Sequence, residues 1–582
     1  MKPASYMSHG VQDIFVFVLL YRHTLVAYMD HSSDAAGKVR TATGSLSYWT
    51  KRRKIRAAVD AFLSNDNAEM LEHQQAEGVT AGDNHMYCQQ HVELADNVVA
   101  DDNVSCEPEP TSDVPQNSDS ETDSVEERNT DECLANDLID WVSRFNIPAT
   151  AVTALLHVLQ PLHPNLPADA RTLLHTPRAV SVRVLSDGGE CVHLGVANGL
   201  KELFSTGHIK SIDKLQLQCS IDGIALYKSS NTSLWPILCL VKNSACKEPF
   251  VVGMYCGTSK PASVDAFLSD FVQEMGALLT SGVELSETHF DIDLHSFICD
   301  TPARAMVKNV KGPTGYFGCD KCETEGEWNG KITFVERDAP KRTDVRFDEM
   351  ANEDHHSGLS ALHPLGIGLV SNFPIDYMHL VCLGVMRRLL LCWLKGPLSS
   401  RLCARKVIQL SEKLLNIRTY VPREFGRKPR SVAEILRWKA VEFRQFLLYA
   451  GPVVLLHVLP EVLYQNFMLP SVGISLLANP RFSIEHCTYV RDILKTFVNN
   501  VRVLYGTGMM VYNVHALVHL ADDVQRFGCL DNISAFPFEN ALMALKKTSA
   551  RTKSHTAANI LSLIRAKQLP ISYSASCCRL YS

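Results

Sequence analysis

Two aspartates at predicted strands are the first residues of this chain whose types and spacing could do chemistry. Asp222 is the one acidic residue of "QLQCSIDGIALYKSSNTSLWPILCLVKN" (216–243), which reads as strand, turn and strand, and Asp300 ends the predicted strand "THFDIDLHSFICD". Adjacent carboxylates repel each other unless a cation lies between them, and hard divalent ions such as Mg²⁺ prefer carboxylate oxygens. Two such ions could activate a water or hydroxyl for attack on a phosphodiester. The alternative for Asp222 alone is an exposed strand carboxylate with a local hydrogen bond.

A third acid is expected from a helix that packs near this pair. Glu539 lies at the start of a predicted helix in "AFPFENALMALKKTSARTKSH" (535–555), ahead of the basic residues Lys546 and Lys547. A glutamate followed by a basic turn suits a metal ion and a phosphate backbone. The alternative is ordinary helix chemistry, because the helix dipole favours an acidic residue in the first turn.

Cysteines and histidines form a second candidate metal site. Cys319 and Cys322 make a C-x-x-C motif in a glycine-flanked turn, and His515 and His519 lie one helical turn apart and so face one way. Two thiolates and two imidazoles could complete a tetrahedral Zn²⁺ site. Histidine pairs at this spacing also arise readily in cores and on surfaces. His379, from a D-x-x-H motif, either competes for a zinc ligand place or lies near the catalytic metals.

The segment 423–444 is rich in lysine and arginine, and Trp438 and Phe443 lie among these residues. A basic helix with aromatic residues can follow a phosphate backbone and stack on an unpaired base. The alternative is a charged solvent face whose aromatic side chains point inward. Across the whole chain, the residues predicted to contact DNA are Lys228, Arg304, Arg427, Lys428, Arg430, Arg437, Trp438, Lys439, Lys546 and Lys547.

The elements that must position these residues include several predicted strands. From residue 190 onward, apolar and polar residues alternate as they do in strands. "ECVHLGVA" is one such segment, and three more strands are predicted in "LQLQCSIDGIALY", "WPILCLVKN" and "PFVVGMYCG". An amphipathic helix over 263–283, capped by Ser263, then leads to the strand 288–300 and to a helix that begins at "TPARAMVKNV". The first strands can form an antiparallel meander, and the last can join beside the first through the helical crossover. This arrangement puts Asp222 in mid-strand and Asp300 at the end of a neighbouring strand.

Charge is distributed unevenly along the 582 residues. Residues 61–140 hold 21 acidic residues against one arginine, so that with a whole-chain charge of −6 the remainder carries +14. A basic body suits a polyanion such as nucleic acid, although an acidic linker beside an ordinary surface would look the same. No apolar run reaches about 20 residues, so no membrane-spanning helix is expected. The eighteen cysteines lie mostly in apolar contexts, which favours a reduced, intracellular protein.

The chain divides into segments by composition and periodicity. The basic run "KRRKIR" could be a nuclear import signal or a phosphate contact. The predicted segments are a poorly defined amino-terminal part with a basic helix (1–66), a disordered acidic linker (67–132), a helical pair (133–189), a sheet-containing part with the C-x-x-C motif (190–379), a helical insertion (380–510), a part with the third acid (511–560) and a tail (561–582).

Several of these stretches together resemble the cut-and-paste DDE transposases of DNA transposons, and CACTA-type elements more than mariner-type ones. The resemblance covers roughly residues 135–555, and a long insertion separates the second and third acids. The matching stretches are "IDGIALYKSS", "FICDTPARA", "GYFGCDKC", "FPIDYMHLVCLGV", "RKPRSVAEILRWKAVEFRQFLLYAGPV", "YNVHALVHLADDV" and "SAFPFENALMALKK".

The resemblance implies an α/β chain, α+β overall, with an RNase H-like mixed-sheet core and a large, mainly helical insertion. It implies the catalytic triad Asp222, Asp300 and Glu539, which would bind Mg²⁺ or Mn²⁺. It further implies cleavage and joining of transposon ends, DNA as the partner, a homo-oligomer that holds two DNA ends, and a nuclear location.

Two other functions remain open at this stage. One is a transposon-derived DNA-binding or chromatin-associated protein without catalysis. The presence of all three acids argues against it, whereas the lack of a complete amino-terminal DNA-recognition module and the unusual tail "LPISYSASCCRLYS" argue for it. The other is a zinc-stabilised interaction scaffold, which would leave Asp222 unexplained.

Overall fold

The computed structural model describes residues 130–145, 147–174, 181–209, 213–227, 231–335 and 338–549. The predicted basic helix, nearly all of the acidic linker, the tail and Lys228 lie outside these residues. Within the described part, no helix combines the length and the apolar character that crossing a bilayer requires.

The chain combines a mixed sheet with many helices, so the coarse α/β prediction is confirmed. The strands are β1 (Arg183–Val184), β2 (Glu190–His193), β3 (Lys214–Ile221), β4 (Ile224–Ala225), β5 (Ser233–Val241), β6 (Phe250–Gly257), β7 (Val283–Leu285), β8 (Thr288–Phe297), β9 (Glu327–Trp328) and β10 (Ile332–Thr333).

The helices before the long helical region are α1 (Thr130–Phe145), α2 (Ala149–Leu159), α3 (Ala170–Leu173), α4 (Val196–Ser205), α5 (Val264–Ser281), α6 (Thr301–Lys308) and α7 (Asp344–Asp348). Those that follow are α8 (Arg387–Lys395), α9 (Ala404–Ile417), α10 (Ala440–Gln445), α11 (Gly451–Val454), α12 (Glu461–Ala478), α13 (Cys487–Tyr505), α14 (Tyr512–His515), α15 (Leu520–Phe527) and α16 (Phe536–Ser549).

The main sheet has the predicted order around its centre. Its strands run β1-β2-β6-β5-β3-β8-β7, and β4 pairs with β5. β3, β5 and β6 form the antiparallel meander, and β8 lies parallel to β3 after the crossover through α5. The segment predicted as one strand from residue 190 is shorter than expected. β2 ends at His193 because Gly195, with a φ of 94°, turns the chain into α4.

The crossover helix α5 forms as the sequence predicts. The Ser263 hydroxyl accepts the Ala266 N–H at its amino terminus, which satisfies one of the donors that a helix start leaves unpaired. Its apolar stripe, spaced by three and four residues, is buried against the sheet. The buried residues of this stripe are Phe267, Leu268, Phe271, Met275 and Leu278.

The parallel pair β3–β8 brings the two aspartates to one edge of the sheet. Cys219 lies opposite Phe297 in this pair. Asp222 comes three residues after Cys219, and Asp300 comes three residues after Phe297. Asp222 comes directly after β3 and Asp300 directly before α6, so neither is a strand residue. The mid-strand position predicted for Asp222 is therefore wrong, because the backbone leaves the ladder after Ile221 and Asp222 is the first residue beyond β3.

The part of the chain from residue 378 to residue 527 is mainly helical, in agreement with the helical insertion predicted for 380–510. It begins with a π-helix over Met378–Met386 that continues into α8, and a second π-helix spans Phe446–Ala450. π-Helical turns are rare and occur frequently at functional sites. The first of them begins at the D-x-x-H motif.

Candidate functional site

The first candidate site lies where β3 and β8 end. Ligand atoms of Asp222, His379 and Glu539 all lie within 4.8 Å of one another. Asp300 is the amino-terminal cap of α6, where its Oδ1 accepts the Ala303 N–H at 2.7 Å. The three acids come from a sheet edge, a helix start and the first turn of α16, which are separated by up to 317 residues in sequence.

The carboxylates of this acidic site are crowded. Burial and then the charges of Asp300 and Glu539 raise the pKa of Asp222 to about 8. Burial also raises the pKa of Glu539. Half-buried acids that disfavour one another's ionisation in this way are a poor arrangement for stability alone, but a divalent cation relieves their repulsion. Together with His379, these acids form a group that could hold a metal ion.

His379 belongs to the acidic site and not to the cysteine–histidine group, which decides between its two predicted positions. Its Nδ1 lies 2.6 Å from Asp376 Oδ2, and its Nε2 lies 3.6 Å from Glu539 Oε1. Burial lowers the pKa of His379, but the hydrogen bond and charge of Asp376 outweigh this effect and raise the pKa to about 9.

Asp376 contacts two elements of the acidic site, which the sequence did not reveal. Its buried carboxylate accepts the backbone N–H groups of Met378, His379 and Ala535 in addition to the His379 ring. Ala535 directly precedes α16, which carries Glu539. One side chain therefore connects the π-helix with the helix of the third acid. The D-x-x-H motif was the only sequence signal of this role.

The second candidate site is a buried group of two cysteines and two histidines. Ligand atoms of Cys319, Cys322, His515 and His519 lie within 4.8 Å of one another. The two Sγ atoms are 3.5 Å apart, and the sulfur–nitrogen distances are 3.2 Å for Cys322–His515 and 3.6 Å for Cys319–His519. Tetrahedral zinc with its usual bond lengths separates two sulfur ligands by about 3.8 Å and a sulfur–nitrogen pair by about 3.5 Å. This arrangement could therefore hold a metal ion with little movement.

Helix α14 and the 3₁₀-turn that follows it, Ala516–His519, deliver the two imidazoles. Phe334 packs against the His515 ring with 5.3 Å between ring centroids. Burial opposes ionisation of Cys319, but hydrogen bonds from the Cys322 thiol and from backbone N–H groups lower its pKa. The same pairing and burial raise the pKa of Cys322, so the pair favours the thiolate, the form that binds metal, at Cys319 rather than at Cys322.

A buried ion-pair network lies next to this cysteine–histidine site. Arg304 Nε is 2.8 Å from Asp320 Oδ2, and the Tyr512 hydroxyl donates to Asp320 Oδ1 at 2.8 Å. Lys321 Nζ lies 2.8 Å from Asp523 Oδ1. Arg304 was predicted to contact DNA, but its side chain is only 2% exposed and is committed to Asp320. That prediction is wrong because α6 turns this arginine into the interior.

The segment 423–444 differs from the basic, base-stacking helix predicted for it. It contains a 3₁₀-turn, Val432–Arg437, and the short helix α10. Trp438 is 6% exposed and packs on Phe443 and Phe446 with ring centroids 5.4 and 5.8 Å apart. Base stacking by Trp438 is therefore ruled out in this conformation, and the inward-facing alternative holds for the aromatic side chains.

Of the remaining described residues predicted to contact DNA, two are half-buried and the others are exposed to solvent. Arg430 is half-buried and pairs with Glu442 through Nε at 2.6 Å and Nη2 at 2.7 Å. Lys546 is half-buried, and its amine donates to the Ala225 carbonyl. The exposed ones are Arg427, Lys428, Arg437, Lys439 and Lys547.

Comparisons with known proteins identify no family for this chain. No protein-family model matches the chain, and a search of curated proteins finds no match either. The function is therefore argued from the two sites themselves.

Proposed function

We propose that this chain is a DNA nuclease and strand transferase of the DDE transposase type, with an RNase H-like core and a dependence on Mg²⁺ or Mn²⁺. The observation that carries the proposal is the convergence of Asp222 and Glu539 within 4.8 Å, with Asp300 close enough for its charge to raise the pKa of Asp222. The order β6-β5-β3-β8, with an antiparallel meander and one parallel crossover, supports the same proposal.

The acidic site has the donor types that such chemistry needs. Asp222 and Glu539 would hold a divalent ion, and Asp300, at the start of α6, would contribute a further carboxylate. His379 lies in the same group and would bind an ion through Nε2 only after losing the proton that its raised pKa favours. When bound, the ions would supply positive charge to the attacking and leaving oxygens of the phosphodiester. The attacking oxygen comes from water or from a DNA 3′-hydroxyl, and the bond between phosphorus and the leaving 3′-oxygen breaks.

The proposal includes zinc at the cysteine–histidine site, because its sulfur and nitrogen distances are close to those of a tetrahedral zinc centre. It also includes DNA as the partner, a homo-oligomer and a nuclear location, all of which follow from the resemblance to transposases. The exposed cations of the segment 423–444 support a DNA partner.

Nicking of supercoiled plasmid in Mg²⁺ or Mn²⁺ tests the catalytic proposal. We expect Asp222→Asn, Asp300→Asn and Glu539→Gln each to reduce nicking by about 100-fold or more, because each removes a charged metal ligand. Asp291→Asn is a matched control, since the Asp291 side chain is 73% exposed and lies outside the site.

Circular dichroism of each variant should match that of the unsubstituted protein. Nicking that survives Asp222→Asn would exclude this site as the catalytic centre. Salt-dependent DNA binding without any nicking would instead favour the non-catalytic, transposon-derived DNA-binding protein.

A further inference from the structure

A concave feature lies beside the carboxyl-terminal end of the π-helix, away from its D-x-x-H start. This basic pocket has a volume of about 570 Å³ and is lined by α8, the end of the π-helix, the turn at Met509 and Asn513 of α14. Its charged lining residues are Arg387, Arg388 and Lys395. None of its lining residues belongs to the acidic site or to the cysteine–histidine site.

The positive charge in the basic pocket has no acidic counterpart. Among the residues that the structure describes, no carboxylate lines the pocket, and no ion pair involves any of its three cations. The elements that form it, "RRLLLCWLK" in α8, "MHLVCLGVM" in the π-helix and "YNVH" in α14, contain no acidic residue.

Arg388 shows the imbalance most clearly. Its Nε is buried and has no hydrogen-bond partner within the described residues. Lys331 lies close enough for the charge of Arg388 to lower its pKa, although burial is the larger cause. It adds a further positive charge near the pocket. A buried donor without an acceptor costs free energy, and an anion bound in the pocket would place a negative charge near this guanidinium.

The geometry of α8 matches an elongated anionic ligand. Arg387, Leu391 and Lys395 follow one another at four-residue spacing and so share one face of the helix. The two cations on this face are about 12 Å apart along the axis, at 1.5 Å per residue. Leu391 and Met509 add apolar surface between and opposite them.

We propose that the basic pocket binds a phosphate-bearing nucleotide, either as a unit of a DNA strand or as a free nucleotide. Guanidinium groups bind phosphate oxygens with two parallel hydrogen bonds, and the side-chain amide of Asn513 supplies a neutral polar group. The volume lies within the range of small-ligand sites, about 300–1,000 Å³. The leucine and methionine side chains suit the flat face of a base. The inference does not depend on the proposed catalytic function.

The test measures binding in buffer without Mg²⁺ or Mn²⁺, so that no cleavage occurs. One probe is a fluorescein-labelled single strand of about 12 nucleotides, within the usual site size of single-strand binders, and the other is dAMP, measured by calorimetry. The variant is Arg387→Gln with Lys395→Gln. The control with the same loss of charge is Lys201→Gln with Lys260→Gln, two exposed lysines outside the pocket.

We expect the pocket variant to weaken binding of at least one probe by about tenfold or more, and the control to change it by less than about threefold, because only the pocket variant removes fixed phosphate contacts. Loss of strand binding alone assigns the pocket to a DNA strand, and loss of dAMP binding assigns it to a free nucleotide. Equal effects of the two double variants, or no effect on either probe, would overturn the proposal.

Arg388→Lys is a second variant that keeps the charge but removes the guanidinium fork. A smaller loss of affinity than in the double variant is expected, with an unchanged melting temperature. Affinity equal to that of the unsubstituted protein would exclude Arg388 as a phosphate contact and would count against the pocket.

Discussion

At the scale of single residues, Asp376 decides how the acidic site is held together. Its carboxylate fixes the His379 ring through Nδ1, so that Nε2 is the nitrogen that faces Glu539. It also accepts the Ala535 N–H at the start of α16. Carboxylates that orient a metal-binding histidine in this way influence metal affinity although they touch no metal. In the proposed catalytic site, Asp376 is therefore a positioning residue.

Asp376→Asn is expected to weaken Mn²⁺ binding by about 10- to 100-fold, as for other residues that support metal ligands. The asparagine amide cannot accept both the His379 ring N–H and the backbone N–H groups that the carboxylate accepts. The measurement is the Mn²⁺ concentration that gives half-maximal nicking, together with calorimetric Mn²⁺ affinity.

The control for this prediction is again Asp291→Asn, which removes an exposed carboxylate of β8. Unchanged Mn²⁺ affinity in Asp376→Asn, with the fold intact, would show that His379 needs no such support.

At the scale of elements, the cysteine–histidine site joins two parts of the chain that lie far apart in sequence. The C-x-x-C turn follows α6, whereas the histidines follow the helical region, 193 residues after Cys322 for His515. Beside it, the Arg304–Asp320 and Lys321–Asp523 pairs join the same segments. A metal ion here would bind the folded form and not the unfolded chain, so it would stabilise the fold.

Cys319→Ser is expected to abolish binding of about one zinc ion per chain, because three ligands remain for a tetrahedral site. The unfolding free energy should fall by about 2.7 kcal/mol or more if free zinc is at least 100 times its Kd. Elemental analysis measures the metal, and thermal unfolding with and without a chelator measures the stability.

The chelator should lower the melting temperature of the unsubstituted protein but leave that of Cys319→Ser unchanged. Cys403→Ser is the matched control, because Cys403 is exposed and lies outside the site. Equal zinc content in Cys319→Ser and the control would exclude the proposed ligand.

At the scale of the whole molecule, the separation of charge along the chain favours a polyanionic partner. The chain outside residues 61–140 carries +14, and several cations of the segment 423–444 remain exposed and unpaired with acids among the described residues. Such cations strengthen DNA binding mainly by releasing counterions from the phosphate backbone.

The triple variant Arg427→Gln, Lys428→Gln and Arg437→Gln is expected to reduce the slope of log affinity against log salt on duplex DNA by about two to three units. All three side chains are exposed, so the fold should remain intact. Fluorescence anisotropy between low and moderate salt measures the slope.

Lys201→Gln, Lys260→Gln and Lys495→Gln remove the same charge from exposed positions elsewhere. If this control lowers the slope as much as the triple variant does, the segment 423–444 contributes only general charge.

Local patterns in the sequence determined the elements around the site. The stripe of apolar residues and the Ser263 cap determined α5, because helix periodicity and capping depend only on residues within about one turn. Alternation and the crossover rule determined the parallel pairing of β3 with β8. The C-x-x-C and H-x-x-x-H spacings likewise predicted a group that the structure brings together.

Only the tertiary structure decided which polar and aromatic residues face inward. Arg304 and Trp438 look like DNA contacts in the sequence, yet Asp320 binds one and the rings of Phe443 and Phe446 cover the other. The position of His379 beside Glu539, and the hydrogen bond from the Ala535 N–H to Asp376, likewise involve groups about 160 residues apart. The physical reason is that burial and ion pairing depend on what packs against a side chain, and those neighbours come from distant parts of the chain.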